Sequence, residues 1–221
     1  QFPAKDLNAL KIAAAEMALT FVEPGMVLGL GGGSTALLMV RCLGEMISSG
    51  RLQDIRAVPV SQETGDLAYK LGIPLTDLDS HPTIDLAIDG ADEVDPNLDL
   101  IKGGGGMLLH EKIIAQASRR VIIIVDESKL SPQLGTRWPL PVEIVPLGLG
   151  SQKIFLESLG SRPELRITPD GSLYYTEQGN LILDCNFGPI SDPPSLAAIL
   201  EKRAGEYGGE RDDRKGPRPV D

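Results

Sequence analysis

Residues 84–112 constrain the fold of this chain more than any other stretch. They read IDLAIDGADEVDPNLDLIKGGGGMLLHEK. An apolar run typical of a buried β-strand ends at Asp89, and four consecutive glycines then lead into a segment with helical spacing. Ligands of open α/β sheets bind beyond the carboxyl ends of the strands. The acidic residues that follow this strand are therefore candidates for a functional site.

The same alternation of strand and helix runs through the first part of the chain. Short apolar runs predict strands at residues 26–30, 55–60, 84–88 and 121–125, with a brief edge strand at 72–75. Helical spacing predicts helices at residues 5–22, 35–47, 62–71 and 107–118. Strands that alternate with helices in this way predict an α/β fold with a doubly wound, mostly parallel sheet.

The pattern changes after residue 130. Four prolines interrupt the next stretch, at positions 132, 139, 141 and 146. A helix is then predicted at residues 152–159, and strands at 165–168, 173–176 and 181–185, joined by glycine-containing turns. We therefore predict an α/β domain over residues 1–130 and a smaller α+β domain over 131–203. Residues 204–221 are rich in charge, glycine and proline, which predicts a disordered tail.

Composition excludes several classes of partner. The chain has 221 residues, 42% of them hydrophobic, and its 21 basic against 31 acidic residues give a net charge of −10. Such a charge argues against a nucleic-acid or acidic-membrane partner. No apolar run approaches the length of a membrane span, so we expect a cytoplasmic protein. Cys42 and Cys185 lack metal-type spacing and are expected to be reduced thiols rather than a disulfide.

A first glycine-rich loop follows the strand at 26–30. Its Gly31-x-Gly33-x-x-Ala36 pattern is a loose match to the dinucleotide fingerprint, but no acidic residue follows the second strand. A loop that cradles a phosphate or sugar fits better, with the hydroxyls of Ser34 and Thr35 as donors beside helix N–H groups. Nicotinamide binding and plain strand-to-helix packing remain alternatives.

A second glycine run, Gly103–Gly106, follows Lys102. Without Cβ atoms, backbone N–H groups can approach an anionic ligand closely, and the lysine adds positive charge beside them. A flexible linker is the plain alternative. The acidic residues between positions 89 and 99 lack the order of a calcium-binding loop. The alternative to a functional role for them is a solvated acidic loop.

Glu111 stands out because it falls on an apolar sector of its predicted helix. An acid in such a place is unfavourable unless it is paired or used. Burial disfavours the charged carboxylate, which suits a group that exchanges a proton near neutral pH. A structural salt bridge is the alternative. His110-Glu111 begins a zinc-protease pattern, but Ile114 occupies the second histidine position, so His110 is expected to be a helix-surface residue.

The segment DGADEVDPNLDLIKGGGGMLLHEK closely resembles the signature region of type A ribose-5-phosphate isomerases. Further similarity appears in GLGGGSTA, PVEIVP and GNLILDC, so the resemblance covers most of the chain. It implies an aldose–ketose isomerase that interconverts ribose 5-phosphate and ribulose 5-phosphate in the pentose phosphate pathway. It further implies no metal, no cofactor, and a homodimer or homotetramer. A non-catalytic phosphosugar-sensing module of similar fold is the alternative.

The resemblance also assigns roles to residues. Glu111 matches the base that moves a proton between C1 and C2, Asp89 matches a residue linked to ring opening, and Lys102 is expected to stabilise the oxyanion. The residues implied to bind substrate are Gly32, Gly33, Ser34, Thr35, Asp89, Gly90, Ala91, Asp92, Lys102, Gly103, Gly104, Gly105 and Lys129. Two departures are visible, because the family has threonine where this chain has Gly32, and an apolar segment where this chain has its charged tail.

Overall fold

The computed structural model describes residues 7–208, which form two compact units. Unit 1 comprises the described residues up to Gly90 together with His110–Ser128. Unit 2 comprises Ala91–Leu109 and the described residues from Lys129 onward. The α/β fold predicted from the sequence is confirmed, and the domain boundary after residue 130 stays a prediction.

Unit 1 is built on a parallel sheet of four strands in the order β2-β1-β3-β6. The strands are β1 (Val27–Leu30), β2 (Arg56–Pro59), β3 (Leu86–Asp89) and β6 (Val121–Ile123). Every residue of β1 and β3 is buried, as expected for central strands covered on both faces. The predicted edge strand at 72–75 is reduced to a single bridge between Ala57 and Leu75.

Helices connect these strands. They are α1 (Leu7–Leu19), α2 (Gly33–Ser48), α3 (Gln62–Lys70) and α4 (Leu108–Ala117), the last of which begins in unit 2. α3 starts where the hydroxyl of Ser61 accepts a hydrogen bond from Thr64 N–H. α1 packs against α2, and their apolar faces join residues such as Leu28, Leu30 and Leu86 in a single core.

Unit 2 is built on an antiparallel sheet in the order β10-β7-β9-β8. Its strands are β7 (Leu140–Ile144), β8 (Arg162–Leu165), β9 (Leu181–Asn186) and β10 (Glu206–Gly208). A short hairpin of β4 (Glu93–Val94) and β5 (Leu100–Ile101) belongs to the same unit, as do helices α5 (Leu149–Ser158) and α6 (Pro193–Leu200). These elements enclose a second core that includes Val142, Leu156 and Leu183.

Three predictions for unit 2 need correction. The strand expected at 173–176 is a loop with one bridge between Ile167 and Leu173, and the strand expected at 165–168 lies earlier, as β8. The prediction that disorder begins at residue 204 is wrong, because Glu206–Gly208 pair with β7. Residues 209–221 of that tail lie outside the described residues.

Two general predictions can be compared directly with the structure. Cys42 and Cys185 are both free, as expected for reduced thiols. Within residues 7–208, no helix is long and apolar enough to cross a membrane.

Candidate active site

The carboxyl end of β3 carries Asp89, which is 7% exposed. Its Oδ1 atom accepts hydrogen bonds from Gly90 N–H at 2.7 Å and from Gly32 N–H at 3.1 Å. The carboxylate is therefore held by the backbone of its own strand end and by the loop that follows β1. This contact brings the two predicted segments, the first glycine loop and the Asp89 strand end, to one place in unit 1.

The strand order explains why they meet. From β1 the chain goes to β2 on one side, and then to β3 on the other side of β1. The connections that leave β1 and β3 therefore diverge, and ligands of open α/β sheets bind at such a point, outside the carboxyl ends of the strands. Gly31 and Gly32 follow β1 and Asp89 ends β3, so both lie at this position.

The N-terminus of α2 borders the same place. Gly32 is its N-cap in an extended conformation (φ −113°, ψ 178°), without a side-chain cap. Gly33 and Ser34 are exposed and Thr35 is 8% exposed. The positive end of the helix dipole and the N–H groups of the first turn suit an anionic group.

Lys11 is a candidate that the sequence reasoning missed. Its Nζ atom donates a hydrogen bond of 2.9 Å to Oγ of Ser34. A lysine on α1 thus lies beside the N-terminus of α2, where it adds a full positive charge to that of the helix dipole. The only signal in the sequence is one basic residue in an otherwise Ala- and Leu-rich helix, which does not reveal its distant partner.

Glu111 lies in the first turn of α4 and is 6% exposed, in agreement with the apolar sector seen in the sequence. The neighbouring His110 corrects a prediction, because its Nδ1 lies 2.9 Å from the carbonyl oxygen of Val60. Val60 follows β2, and its N–H bonds to the carbonyl of Leu30 at the end of β1. The first turn of α4 is therefore fixed at the carboxyl end of the parallel sheet, and His110 is an anchor rather than a plain surface residue.

In unit 2, the second glycine run is enclosed by side chains of the same unit. A Cβ on Gly104 would lie 2.7 Å from Oδ1 of Asp92, and a Cβ on Gly106 would lie 2.2 Å from Oη of Tyr174. Gly103 and Gly106 also have positive φ angles, of 91° and 81°. The glycines are thus required by close packing against the protein's own side chains, a reason that the sequence reasoning did not include.

The remaining predicted residues of unit 2 lie on its short elements. Lys102 follows β5 and is 6% exposed, and Ala91 and Asp92 are half-buried before β4. The Nζ atom of Lys129 lies 5.2 Å from the ring centroid of Trp138, a cation–π distance. Each unit therefore holds part of the predicted set. Unit 1 holds Gly32–Thr35, Asp89, Gly90 and Glu111, and unit 2 holds Ala91, Asp92, Lys102–Gly105 and Lys129.

His110 and the acidic loop each match a metal-binding pattern only in part. In the described part of the chain, no group of three or more His, Cys, Asp or Glu side chains is placed to hold an ion. Asp95 instead uses its Oδ1 to accept hydrogen bonds from Asn97 N–H and Asp99 N–H, both at 2.9 Å. The acidic loop thus caps its own turn.

A carboxylate at a strand-order reversal and a lysine at a helix N-terminus are typical of α/β enzymes that act on small anionic ligands. The family model described as ribose 5-phosphate isomerase A (phosphoriboisomerase A) matches residues 56–206. A ribose-5-phosphate isomerase A from Chloroflexus aurantiacus is 56% identical over 195 residues, 88% of this chain and 82% of the relative. One from Desulfatibacillum aliphaticivorans is 50% identical over 198 residues, 90% of this chain and 86% of that protein. The chain therefore belongs to the ribose 5-phosphate isomerase A family.

Solved structures agree with this assignment. A D-ribose-5-phosphate isomerase in complex with phospho-erythronic acid matches with a TM-score of 0.89 and 38% identity, covering 92% of this chain and 90% of that one. Ribose 5-phosphate isomerase A from Methanocaldococcus jannaschii matches with a TM-score of 0.86 and 37% identity, covering 91% and 89%. The predicted fold class, and the prediction that the chain is an isomerase, are confirmed.

Proposed function

We propose that this chain interconverts ribose 5-phosphate and ribulose 5-phosphate by moving a proton between C2 and C1 through an enediolate. The observation that carries the proposal is the buried carboxylate of Glu111 in a chain about half identical to proteins named ribose-5-phosphate isomerase A. Buried carboxylates are rare unless they are paired or used. A proton transfer next to a carbonyl is a reaction for which one positioned carboxylate is sufficient as base and acid.

Glu111 is the proposed base. In the open-chain aldose, its carboxylate removes the proton from C2, and the electron pair of that C–H bond forms the C1–C2 double bond of an enediolate, leaving negative charge on O1. Glu111 then returns the proton to C1, while the proton on O2 is transferred to O1, which gives the ketose. Low exposure of Glu111 supports this role, because a water-poor site strengthens the interactions that govern proton transfer.

Asp89 is proposed to act before this step, in opening the sugar ring. Its carboxylate is fixed by Gly32 N–H and Gly90 N–H, so its orientation does not depend on the substrate. A carboxylate held in this way can accept a proton from the anomeric hydroxyl and pass it to the ring oxygen. Lys102 is proposed to stabilise the oxyanion of the enediolate.

The phosphate is proposed to bind at the N-terminus of α2. The backbone N–H groups of Gly33 and Ser34, the hydroxyls of Ser34 and Thr35, and the ammonium group of Lys11 are the donors that support this assignment. Lys129 and the segment Lys102–Gly105 are proposed to contact the substrate as well, together with Gly32, Gly90, Ala91 and Asp92.

The test is an assay of the purified protein with ribose 5-phosphate in the presence of EDTA. The proposal predicts formation of ribulose 5-phosphate at a rate that chelation does not change. No ribulose 5-phosphate, or loss of activity that added metal restores, would contradict it. Phospho-erythronic acid is the matched probe for binding, because its planar carboxylate resembles the two oxygens of an enediolate, and it should raise the melting temperature.

Substitution of Lys11 tests phosphate binding separately from proton transfer. We expect Lys11→Ala to raise KM for ribose 5-phosphate and to weaken competition by inorganic phosphate, with little change in kcat. Lys70→Ala, an exposed lysine at the end of α3 that is not among the predicted site residues, is the control. An unchanged KM in Lys11→Ala would remove that lysine from the phosphate site.

We further propose that the protein acts in the pentose phosphate pathway of the cytoplasm as a homodimer or homotetramer. Light scattering after size-exclusion chromatography measures the assembly, and the 23.6 kDa mass of the chain makes monomer, dimer and tetramer easy to separate. A monomeric mass would contradict this part of the proposal.

A further inference from the structure

The second glycine run has one backbone hydrogen bond of its own, from Gly106 N–H to the carbonyl oxygen of Gly103 at 3.0 Å, and further contacts come from other residues of unit 2. Gly104 N–H donates a hydrogen bond of 2.7 Å to Oδ2 of Asp92. On the opposite side, Nη1 of Arg166 donates to the carbonyl oxygens of Gly103 at 3.2 Å and Gly104 at 3.0 Å. Tyr174 adds a longer contact, from its hydroxyl to the carbonyl of Gly105 at 3.4 Å.

Arg166 is itself held by the antiparallel sheet. Its Nε donates to Oδ2 of Asp184 at 2.9 Å, and its Nη2 forms an ion pair with Oδ1 of the same carboxylate. Asp184 lies in β9, which is paired on both sides, by β7 and β8. The two side chains are only 14% and 25% exposed. A two-point Arg–carboxylate contact is geometrically specific, and the third nitrogen of the planar guanidinium then has a fixed direction, towards the glycine carbonyls.

Asp92 and Arg166 bind the same peptide unit from opposite sides. In a trans peptide the C=O and the following N–H point in opposite directions. Arg166 binds the carbonyl of Gly103 and Asp92 binds the N–H of Gly104, so the peptide between them is held at both edges. Arg166 also binds the carbonyl of Gly104, so the N–H of the exposed Gly105 must point away from the guanidinium.

We propose that Arg166, oriented by Asp184, is a positioning residue that fixes these glycine peptides and thereby aims Gly105 N–H as a donor to an oxygen of the bound sugar phosphate. This inference rests on the function proposed above for its substrate. Its geometric part, the fixing of the loop, does not depend on activity. Lysine at position 166 cannot do the same, since an ammonium group cannot bind both Asp184 oxygens and the loop carbonyls in one plane.

The test compares Arg166→Met, Arg166→Lys and Asp184→Asn with Arg119→Met and Arg119→Lys. Arg119 is a matched control, because it also pairs with an aspartate, Asp85 at 2.9 Å, but is 71% exposed. The first measurement is amide hydrogen exchange of Gly104 in the ligand-free protein. We expect exchange at least about tenfold faster in the three site variants, with β9 amides unchanged, because the loop alone loses an anchor.

The second measurement is steady-state kinetics. Misplacement of a donor by about 1 Å can cost on the order of 10²-fold, so we expect kcat/KM to fall about 10–100-fold in Arg166→Met. The pH profile should keep its shape, and methylguanidinium should restore part of the activity. If Arg166→Met does not fold, Asp184→Asn still tests the proposal, because it leaves Arg166 in place and removes only the charge that orients it.

The outcomes separate the two proposals. Faster Gly104 exchange with an inactive wild-type protein would support the positioning role and contradict the proposed function. Unchanged Gly104 exchange, or a fall in activity that only follows a fall in melting temperature, would show that Arg166 is a structural residue and would overturn the inference.

Discussion

The carboxylate of Asp89 lies directly against the backbone of Gly31. A Cβ on Gly31 would be 2.1 Å from Oδ1 of Asp89, far inside any permitted contact. Gly31 N–H in turn bonds to the carbonyl of Ile88 at 2.9 Å, so the backbone at Gly31 cannot move away without breaking its link to β3. Glycine at this position and aspartate at position 89 therefore depend on each other.

Gly31→Ala is expected to displace the Asp89 carboxylate and its hydrogen bonds to Gly32 and Gly90. Overpacking of this kind costs about 1–3 kcal/mol, and turnover should fall with it. Urea unfolding and initial rates measure the two effects. Gly150→Ala is the control, because no atom lies within 4 Å of its Cβ position at the start of α5, and it should be neutral or slightly stabilising. If Gly31→Ala and Gly150→Ala have the same unfolding free energy and the same initial rate, glycine at position 31 is not required by Asp89.

Gly32→Thr should tighten substrate binding. The φ of −113° at Gly32 is accessible to any residue, and a threonine hydroxyl at this N-cap would add a donor where the phosphosugar is proposed to bind. One added hydrogen bond is worth about 0.5–1.5 kcal/mol, which corresponds to a KM roughly 2–10-fold lower. Gly32→Ala adds the Cβ without the hydroxyl and should bring no gain. A KM that is unchanged in Gly32→Thr would argue against a substrate contact at this position.

Glu93→Gln should destabilise unit 2. Glu93 is fully buried, and its two carboxylate oxygens accept hydrogen bonds from Gly135 N–H at 2.9 Å and Arg137 N–H at 3.2 Å. Glutamine offers one acceptor oxygen and places an NH₂ group against the other N–H, at a cost of about 1–3 kcal/mol. Chemical denaturation measures the difference. Glu164→Gln, on the exposed side of β8, should change little, and a loss of similar size there would contradict the argument.

Strand β10 should contribute measurably to stability. Its residues pair with Val142–Ile144 of β7, and the preceding residues bond to the same unit through Val145 N–H to Gly205 O and Gln152 Nε2 to Ala204 O. A chain that ends after Arg203 loses all of these contacts and exposes the edge of β7, whereas a chain that ends after Gly208 keeps them. We expect the shorter chain to melt several degrees lower, since about 1 kcal/mol shifts the melting temperature by roughly 2–4 °C at this size. Equal melting temperatures would contradict this.

The elements of unit 1 could be predicted from the sequence because local signals agree there. Apolar runs, helical spacing and glycine or proline at the ends all indicate the same boundaries. Strand order could not be predicted, since it depends on which strands pair rather than on any one segment. The meeting of Lys11 with Ser34 was missed for the same reason: 23 residues separate them.

In unit 2, local signals conflict with the fold. Pro141 argues against a strand at 140–144, yet this segment is β7. It is tolerated because β10 covers only Val142–Ile144, so Pro141 has a described strand neighbour on one side alone. The hairpin of β4 and β5 was missed because each strand has two residues and lies within an acidic stretch.

The glycine run illustrates a different limit. The sequence indicates that Gly103–Gly106 permit close approach, but cannot tell what approaches. Asp92 and Tyr174 fill that space in the structure, and Arg166, more than 60 residues away in the chain, holds the carbonyls. The glycine run is thus held by side chains that no local sequence pattern could identify as its neighbours.

The central claim is that Glu111 carries the proton between C2 and C1. The most direct measurement follows ribulose 5-phosphate in D₂O by proton NMR, with the wild-type protein, Glu111→Gln and, as control, Glu45→Gln on the exposed face of α2. Wild type and Glu45→Gln should exchange one C1 proton for deuterium and place deuterium at C2 of the ribose 5-phosphate formed. Glu111→Gln should bind phospho-erythronic acid yet exchange about 10²–10⁴-fold more slowly. Exchange and turnover by Glu111→Gln at the wild-type rate would contradict the account.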